Sequence, residues 1–250
     1  MAVTAIDLNA DLAEECGDDA AMYPFLTSAN VCCGEHAGGP DAMREAVSAA
    51  LAHNVSIGAH VGYADRENFG RDDVEMTYSD LYALTRKQIE LLKSIAEPLG
   101  ATLRYVKPHG ALYHRIGRDA QQARAVTDAI ADIDSSLQVL VPHTLVILEA
   151  AMNRGLSVAH EFFADRAYLP SGTLAPRSME GSVLHDSEFI SNRVMDWLRT
   201  GTITATDGST VTIDAESICL HGDTPGAVDN ARTIHDDLVA HGFTLKSWLD

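Results

Sequence analysis

Lysine, paired cysteines and long apolar runs are scarce in this sequence of 250 residues. Four cysteines are present, but they form no Cys-x-x-Cys pair, so we expect no disulfide framework. No apolar stretch approaches the roughly 18 to 20 residues that cross a bilayer. Residues 1–6 lack a basic region followed by an apolar run, so we expect no signal peptide and a cytoplasmic location.

The charge balance is strongly acidic, with a formal net charge of −18. So acidic a surface repels nucleic acids and anionic membranes, and we expect neither as a partner. There are 23 aspartates and 13 glutamates, but only 4 lysines beside 14 arginines. This composition suggests adaptation to high salt, which screens self-repulsion; an ordinary acidic bacterial enzyme is the alternative. The scarcity of lysine makes Lys107 notable.

Apolar runs of strand length alternate with segments of helical periodicity along the whole chain. The predicted strands are residues 5–8, 28–33, 55–59, 102–106, 138–141, 156–163 and 217–220. The predicted helices are residues 41–53, 78–99, 119–133, 143–153, 186–200 and 225–241. This alternation predicts parallel strands joined by right-handed crossovers. We therefore expect an α/β fold, an irregular seven-stranded parallel β/α (TIM-like) barrel formed by one domain over residues 1–250. Residues 202–214 predict a small β-hairpin on it.

The strongest local signal is the string Lys-Pro-His-Gly-Ala-Leu-Tyr at residues 107–113, directly after a predicted strand. In a parallel β/α barrel the active site is built from the C-terminal ends of the strands. Lys107 and His109 stand at such an end. Four further ionisable residues lie a few positions past an apolar run: His36, His60, Asp165 and His221. We expect all six to face one catalytic site.

Polar residues also alternate along the first strand. Asp7, Asn9 and Asp11 share one face, and in a barrel that face is the interior. Inward polar groups are costly unless they line a solvated ligand site. We therefore expect Asp7 and Asn9 to bind substrate and Asp11 to act in catalysis, with turn capping as the alternative for Asp11.

Charged pairs follow two late apolar runs. Asp165 precedes Arg166, and His221 is followed by Asp223. Such neighbours can tune each other's pKa for proton transfer. A structural ion pair for the first two and helix capping for Asp223 are the alternatives. Arg71 is a further candidate, because a guanidinium can hold a carboxylate or phosphate bidentately.

A divalent metal is a separate possibility. Imidazole and carboxylate groups suit zinc or a related ion, and five candidates could converge: Asp11, His36, His60, His109 and His221. No His-Glu-x-x-His or other local ligand spacing supports this, so the metal stays open. The remaining histidines have no comparable context, and we interpret them as structural: His53, His114, His143, His160, His185, His235 and His241.

Seven strings together resemble the LamB/YcsF family from about Ile6 to Gly242. They are IDLNADL from Ile6, SANVCCGEHAGGP from Ser28, IGAHVGY from Ile57, VKPHGALY from Val106, FADRAY from Phe163, GTLAPR from Gly172 and HGDTP from His221. The resemblance implies a barrel of the glycoside hydrolase/deacetylase type. It also implies ATP-dependent opening of 5-oxoproline to L-glutamate, with ATP and magnesium as co-substrate and with 5-oxoprolinase subunits B and C as partners. The sequence has no Gly-x-x-x-x-Gly-Lys-Ser/Thr motif, which agrees with activation by the partners.

The resemblance also suggests roles for the candidates. Asp11 or His109 would act as general base on water, and His36, His60 or His221 would assist. Lys107 and Arg166 would stabilise developing negative charge or phosphate. The chain departs from the family pattern at residues 13–17 (Ala-Glu-Glu-Cys-Gly) and at Glu35, which bears on substrate choice.

Two other functions remain open. One is a metal-dependent amidase or deacetylase that needs neither ATP nor partners. The other is a non-catalytic lactam- or carbohydrate-binding module.

Overall fold

The computed structural model describes residues 5–250. Residues 1–4, which belong to the predicted domain and to the segment in which no signal peptide is expected, lie outside the described residues. The strands are β1 (Ala5–Leu12), β2 (Ser28–Cys32), β3 (Ser56–Val61), β4 (Leu103–Pro108), β5 (Gln138–Leu140), β6 (Val158–Ala159), β7 (Glu161–Phe163), β8 (Thr202–Thr204), β9 (Thr210–Thr212), β10 (Ser217–His221) and β11 (Thr244–Leu245). The α-helices are α1 (Asp19–Met22), α2 (Pro40–His53), α3 (Tyr78–Ala96), α4 (Gly110–Ile116), α5 (Ala120–Ile133), α6 (Leu145–Asn153), α7 (Ser187–Thr200) and α8 (Ala227–Ala240).

The main sheet is parallel throughout and runs in the order β6-β5-β4-β3-β2-β1-β10-β7, with β11 added beside β1. Its two end strands are halves of one predicted strand. β6 pairs with β5, and β7 pairs with β10. The segment that holds β6 and β7 therefore joins the two ends of the sheet and closes the ring with seven strand positions. The predicted irregular parallel barrel is confirmed.

His160 is the residue at which this strand changes partner. Its backbone N–H donates to the Glu216 carboxylate (2.8 Å), and its carbonyl accepts from the Glu216 N–H (3.0 Å). On the other side its ring Nδ1 donates to the Val141 carbonyl (3.0 Å). These bonds occupy polar groups that would be left unpaired where the strand leaves β5 for β10.

The first strand is longer than predicted. The apolar run was expected to end at residue 8, but the ladder continues to Leu12 opposite Val31 of β2. Leu8, Ala10 and Leu12 are buried on one face of β1 and belong to the hydrophobic core. The polar side chains of the strand lie on its other face, as alternation requires. The inward polar residues of β1 are thus inside the strand and not beyond its end.

The other boundaries agree within a few residues, with three additions. The short helices α1 and α4 and the short strand β11 were not predicted, and α4 begins within the 107–113 string. Strands β8 and β9 form an antiparallel hairpin at the predicted place, with Thr202 opposite Thr212. Among residues 5–250, none of the helices combines the length and the apolar character needed to span a bilayer.

Helices pack around the outside of the barrel. On β7, Phe162 is fully buried and stacks on Trp197 of α7, with ring centroids 4.6 Å apart. Phe189 lies on the same helix but is 55% exposed. Phe162 is thus buried against α7, whereas the side chain of Phe189 on α7 is exposed to solvent.

Phe162→Ala should lower the free energy of unfolding by about 3–5 kcal/mol, because it leaves a cavity between β7 and α7. Phe189→Ala is the matched control and should change it by no more than about 0.5 kcal/mol. Urea unfolding measures both. Equal losses in the two variants would contradict the described packing of α7.

Candidate functional site

The floor of the barrel is a closed polar network. Asp7 accepts hydrogen bonds from the hydroxyls of Thr27 and Ser28 (both 2.6 Å) and from that of Ser217. Asn9 donates to the Ser217 hydroxyl at 2.6 Å. Burial, the largest cause, raises the pKa of Asp7 to about 6 despite these hydroxyls. Asp7 lies four residues before Asp11, which puts it roughly 13 Å below the strand end. Protein groups engage both side chains there, so the expected substrate contacts of Asp7 and Asn9 stay a prediction.

Lys107 lies at the centre of the barrel and is 1% exposed. Its Nζ lies 2.8 Å from Asp11 Oδ1, 3.0 Å from Glu161 Oε2 and 3.1 Å from Cys219 Sγ. Burial acts to lower the pKa of this ammonium, but Asp11, Cys219 and Glu161 together hold it well above its usual value. Lys107 is therefore a charged group shared by β1, β4, β7 and β10.

Asp11 connects this centre to a group of histidines. Burial acts to raise its pKa, but His60 and Lys107 outweigh burial and hold it well below its usual range. Its Oδ2 lies 3.3 Å from His60 Nε2, and its Oδ1 accepts from Asn30 at 2.8 Å. Asp11 is thus an ionised carboxylate with partners on three sides.

Four buried residues form what we call the histidine cluster: Glu14, His36, His60 and His109. One ligand atom from each lies within 4.8 Å of all the others. His60 Nε2 is 2.9 Å from His109 Nδ1, and Glu14 Oε1 is 3.3 Å from His36 Nε2 and 3.5 Å from His109 Nδ1. These residue types could hold a metal ion. Burial is the largest cause that raises the pKa of Glu14 and lowers those of His36 and His109.

Backbone carbonyls fix two of the rings. His60 Nδ1 lies 3.0 Å from the Lys107 carbonyl, and His109 Nε2 lies 2.8 Å from the Phe69 carbonyl. Because a carbonyl only accepts, each of these ring nitrogens must carry the hydrogen. The other nitrogen of each ring faces the cluster, and that of His60 also faces Asp11 Oδ2 at 3.3 Å.

Two glycines make room for the remaining ring. A Cβ on Gly62 would lie 2.6 Å from His36 Nδ1, and one on Gly70 would lie 2.8 Å from His36 Cβ. Gly70 also has φ +64°, which side chains disfavour. His36 can therefore stack on His109, with ring centroids 3.9 Å apart and planes 1° apart.

A separate pair lies across the barrel mouth. His221 Nδ1 is 2.9 Å from Asp165 Oδ1, and Asp165 is 1% exposed. Since the carboxylate accepts the Nδ1 hydrogen, the lone pair is on Nε2, for which no protein hydrogen-bond partner is found among residues 5–250. A second group of potential ligand atoms, from Asp11, Cys219 and His221, connects this pair to the barrel centre.

A cleft of about 770 Å³ opens above these groups. Its lining includes Asp11, His60, Lys107, His109, Glu161 and His221. The hairpin contributes Val211 and Thr212 to the wall, so it is more than an external decoration. His114, His143 and His160, which we interpreted as structural, also line the cleft. Burial, followed by Arg166, lowers the pKa of His114 to about 4.

Arg166 supplies positive charge to this cleft. It is 4% exposed, donates to the carbonyls of Ser182 (3.2 Å) and Ala175 (2.6 Å), and has no carboxylate within ion-pair distance in the described chain. Burial and the neighbouring Arg177 lower its pKa to about 10. Its hydrogen bonds go to backbone carbonyls, and the structural ion pair considered for Asp165 and Arg166 is not formed.

Arg71 and Asp223 form an ion pair at the rim. Arg177 lies 3.9 Å from the other oxygen of Asp223. The two substrate-binding candidates therefore contact each other. Arg71 lines the cleft, whereas Asp223 lines a smaller cavity of about 360 Å³ together with Arg177.

The structure thus brings His36, His60, His109, Lys107 and Asp11 together and places Asp165, His221 and Arg166 nearby. Sequence reasoning missed three participants: Glu14, Glu161 and Cys219. An acid within an apolar strand run was the available signal for Glu161. Glu14 was noticed only as part of the departure at residues 13–17.

Lys107→Met should lower the free energy of unfolding by about 3–5 kcal/mol, since two buried carboxylates lose their cation. Adding Glu161→Gln to it should restore part of that loss. Lys87→Met is the control, because the Lys87–Glu35 pair is on the surface and should contribute about 1 kcal/mol or less. Urea unfolding of the parent, the three single variants and the double variant tests this, and strictly additive losses at Lys107 and Glu161 would refute the coupling.

Known proteins resemble the chain along its full length. The LamB/YcsF family model matches residues 6–250. The sequence is 47% identical over 251 residues to a protein of Agrobacterium fabrum that is named as a 5-oxoprolinase A subunit, covering 98% of each chain. The crystal structure of a lactam utilization protein from Thermus thermophilus superposes with a TM-score of 0.91 and 38% identity, covering 98% of this chain and 100% of that one.

A more distant similarity concerns the fold alone. The catalytic domain of a peptidoglycan N-acetylglucosamine deacetylase from Eubacterium rectale has a TM-score of 0.53 at 11% identity, over 99% of this chain and 90% of that chain. Together with the matched family model, the similarities at high identity establish that the chain belongs to the LamB/YcsF family.

Proposed function

We propose that this chain is the A component of a 5-oxoprolinase. In this proposal it opens the ring of 5-oxo-L-proline to give L-glutamate, in an ATP-dependent reaction with subunits B and C. The name of the Agrobacterium relative supports the substrate and the role as one component of an assembly. The name of the Thermus protein supports a lactam as the kind of molecule handled.

The observation that carries the proposal is the Asp165–His221 pair at the cleft. Asp165 holds the Nδ1 hydrogen of His221, which leaves Nε2 as a base beside the cavity. This is the arrangement by which a carboxylate orients an imidazole for proton transfer. His109 is less suited to be the base, because Phe69 and His60 face its two ring nitrogens. Asp11 is also less suited to be the base, because its Oδ1 accepts hydrogen bonds from Lys107 and Asn30.

Arginines of the cleft suit an anionic substrate. Arg166 is buried without a carboxylate partner in ion-pair range among the described residues, and Arg177 lies close enough to lower its pKa. A buried unpaired guanidinium is costly unless an anion completes it. The carboxylate of 5-oxoproline, or a phosphate added to the ring oxygen, would supply that anion.

The reaction then has a simple order. A five-membered lactam resists water at neutral pH, so phosphorylation of its carbonyl oxygen by ATP, assisted by subunits B and C, comes first. Water adds to the activated carbon while His221 Nε2 takes its proton. The carbon–nitrogen bond breaks, His221 returns the proton to the ring nitrogen, and a second water releases the phosphate. Lys107 and Arg166 stabilise the negative charge.

Further parts of the proposal concern the setting. We propose that residues 1–250 act as one domain in the cytoplasm and that ATP, with magnesium, is bound mainly by the partners. We also propose adaptation to high salt, because the net charge is −18. The histidine cluster offers ligand atoms for a divalent ion.

One alternative has a specific observation in its favour. The histidine cluster would also suit a metal-dependent amidase or deacetylase that works without ATP or partners. Such an enzyme would release product from this chain alone and would stop after chelation.

Reconstitution tests the proposed function directly. The purified chain should form no glutamate from 5-oxoproline by itself, and it should do so when subunits B, C and ATP are added. The assay is run at low and high salt, where greater activity at high salt would support halophilic adaptation. Binding of 5-oxoproline without turnover in the complete mixture would favour a non-catalytic module instead.

His221→Asn should lower kcat of the reconstituted enzyme by roughly 100- to 10,000-fold, because the general base is lost. Asp165→Asn should lower it comparably, since the imidazole loses its orientation. The double variant should be no worse than His221→Asn alone, because the two residues act as a unit. His241→Asn, at an exposed position after α8, is the control. Additive losses, or effects on KM only, would falsify the assignment.

A further inference from the structure

We propose that Arg193 on α7 is a positioning residue for the Asp165–His221 pair. Its guanidinium holds the backbone at the end of β7, and Asp165 lies directly after that end. The cleft is lined by other residues, so Arg193 acts through Asp165 and not on the substrate. This inference rests on the proposed function, because it takes His221 as the base.

The backbone around Asp165 needs such support because it lies outside regular structure. The ladder between β7 and β10 ends with Phe163 opposite Cys219, and α7 begins only at Ser187. One further backbone bond, from the Ala164 N–H to the Cys219 carbonyl (3.0 Å), follows that ladder. Asp165 is the next residue. A side chain at the start of a long irregular connection depends for its orientation on the contacts around it.

Arg193 supplies a contact with the backbone at this point. Its Nη1 donates hydrogen bonds to two successive carbonyls, that of Phe163 at 3.2 Å and that of Ala164 at 2.8 Å. A terminal guanidinium nitrogen carries two hydrogens, so one nitrogen can serve both carbonyls. The second carbonyl belongs to the planar peptide unit that joins Ala164 to Asp165. Arg193 therefore restrains the direction in which the Asp165 side chain leaves the backbone.

Packing holds the guanidinium itself in place. Its central carbon lies 4.9 Å from the ring centroid of Phe162 and 5.5 Å from that of Tyr168. Phe162 is fully buried and stacks on Trp197, which lies on the same helix as Arg193. The Tyr168 hydroxyl also accepts a hydrogen bond from the Phe163 N–H (2.9 Å). A planar cation stacked over these rings is therefore kept in one position, as the support of a functional side chain must be.

The charge of Arg193 adds to its effect on Asp165. Its Nη2 is buried and has no hydrogen-bond partner among residues 5–250. Burial lowers the pKa of the guanidinium, whereas Tyr168 and Asp165 act to raise it. By the same attraction, the cation stabilises the ionised form of Asp165, which accepts the Nδ1 hydrogen of His221. Without Arg193 the carboxylate is free to turn, and the hydrogen can move to Nε2, the nitrogen that acts as base.

The tautomer of His221 tests the inference on the full chain alone, without substrate or partner subunits. Long-range proton–nitrogen NMR spectra at mildly alkaline pH should show the hydrogen on Nδ1 in the parent, with the signal assigned by its loss in His221→Asn. Arg193→Met has no donor for the two carbonyls and should show a mixture of both tautomers. Arg193→Lys should keep the parent tautomer, since an ammonium group can donate to both carbonyls. Arg199→Met, at an exposed position of the same helix, is the matched control and should also keep it.

Steady-state kinetics of the reconstituted enzyme are the second measurement. Arg193→Met should lower kcat roughly 100-fold, the loss that a small misplacement of a catalytic group causes, and should leave KM nearly unchanged. Arg193→Lys and Arg199→Met should keep most of the parent kcat. An arginine with a purely structural role would behave differently, because its loss would lower the melting temperature and leave the tautomer and kcat as they are in the parent.

The outcomes separate this inference from the proposed function. A folded Arg193→Met chain with the parent tautomer would overturn the positioning role. If Arg193→Met does not fold, Arg193→Gln decides in the same way, because its amide ends closer to the backbone than the guanidinium does. A parent without the Nδ1 hydrogen would overturn both the proposed base and this inference. A tautomer that depends on Arg193 in a parent that forms no glutamate in the complete mixture would support the positioning of His221 and overturn only the proposed reaction.

Discussion

The ammonium of Lys107 inside the barrel is the interaction on which the rest of the site depends. Its partners come from three other strands, Asp11 on β1, Glu161 on β7 and Cys219 on β10. A single positive charge therefore holds together side chains that would otherwise repel one another in a space with little water. Asp11 extends this arrangement to His60, and through it to the histidine cluster.

Two separate groups of ionisable side chains lie in the barrel mouth. The histidine cluster is compact and buried, and two of its rings are fixed by backbone carbonyls. The Asp165–His221 pair is across the mouth, with one imidazole nitrogen left for the cleft. Asp11 lies between the two and contacts both sides through Lys107 and His60. Under the proposed function, a substrate in the cleft would meet His221 as the oriented base beside these buried strand ends.

Much of the barrel and of the site could be predicted from the sequence, because a parallel β/α barrel has its active site at the C-terminal ends of its strands. His60 and His109 were found in that way. Depth within the barrel could not be predicted: alternation gave the face on which Asp7 lies, but its distance from the mouth depends on how far β1 continues, and the ladder runs on to Leu12. Ring orientation was also out of reach, since the carbonyl that fixes His109 belongs to Phe69, forty positions away. His160 and Glu161 interrupt the apolar run 156–163, but nothing in the sequence shows that the strand changes its pairing partner there.

The ring closure has a consequence for biosynthesis. Strands β1 to β6 each pair with a neighbour in chain order, but the pairing that joins β1 to β10 links Asp7 with Ser217. Contacts so distant along the chain form late, because a long loop must close first. A nascent polypeptide still on the ribosome would hold Lys107 and Asp11 in an open, hydrated sheet until its last segments emerge. Chaperones would therefore meet a half-barrel with an unpaired β1 edge, the stage at which aggregation competes with folding.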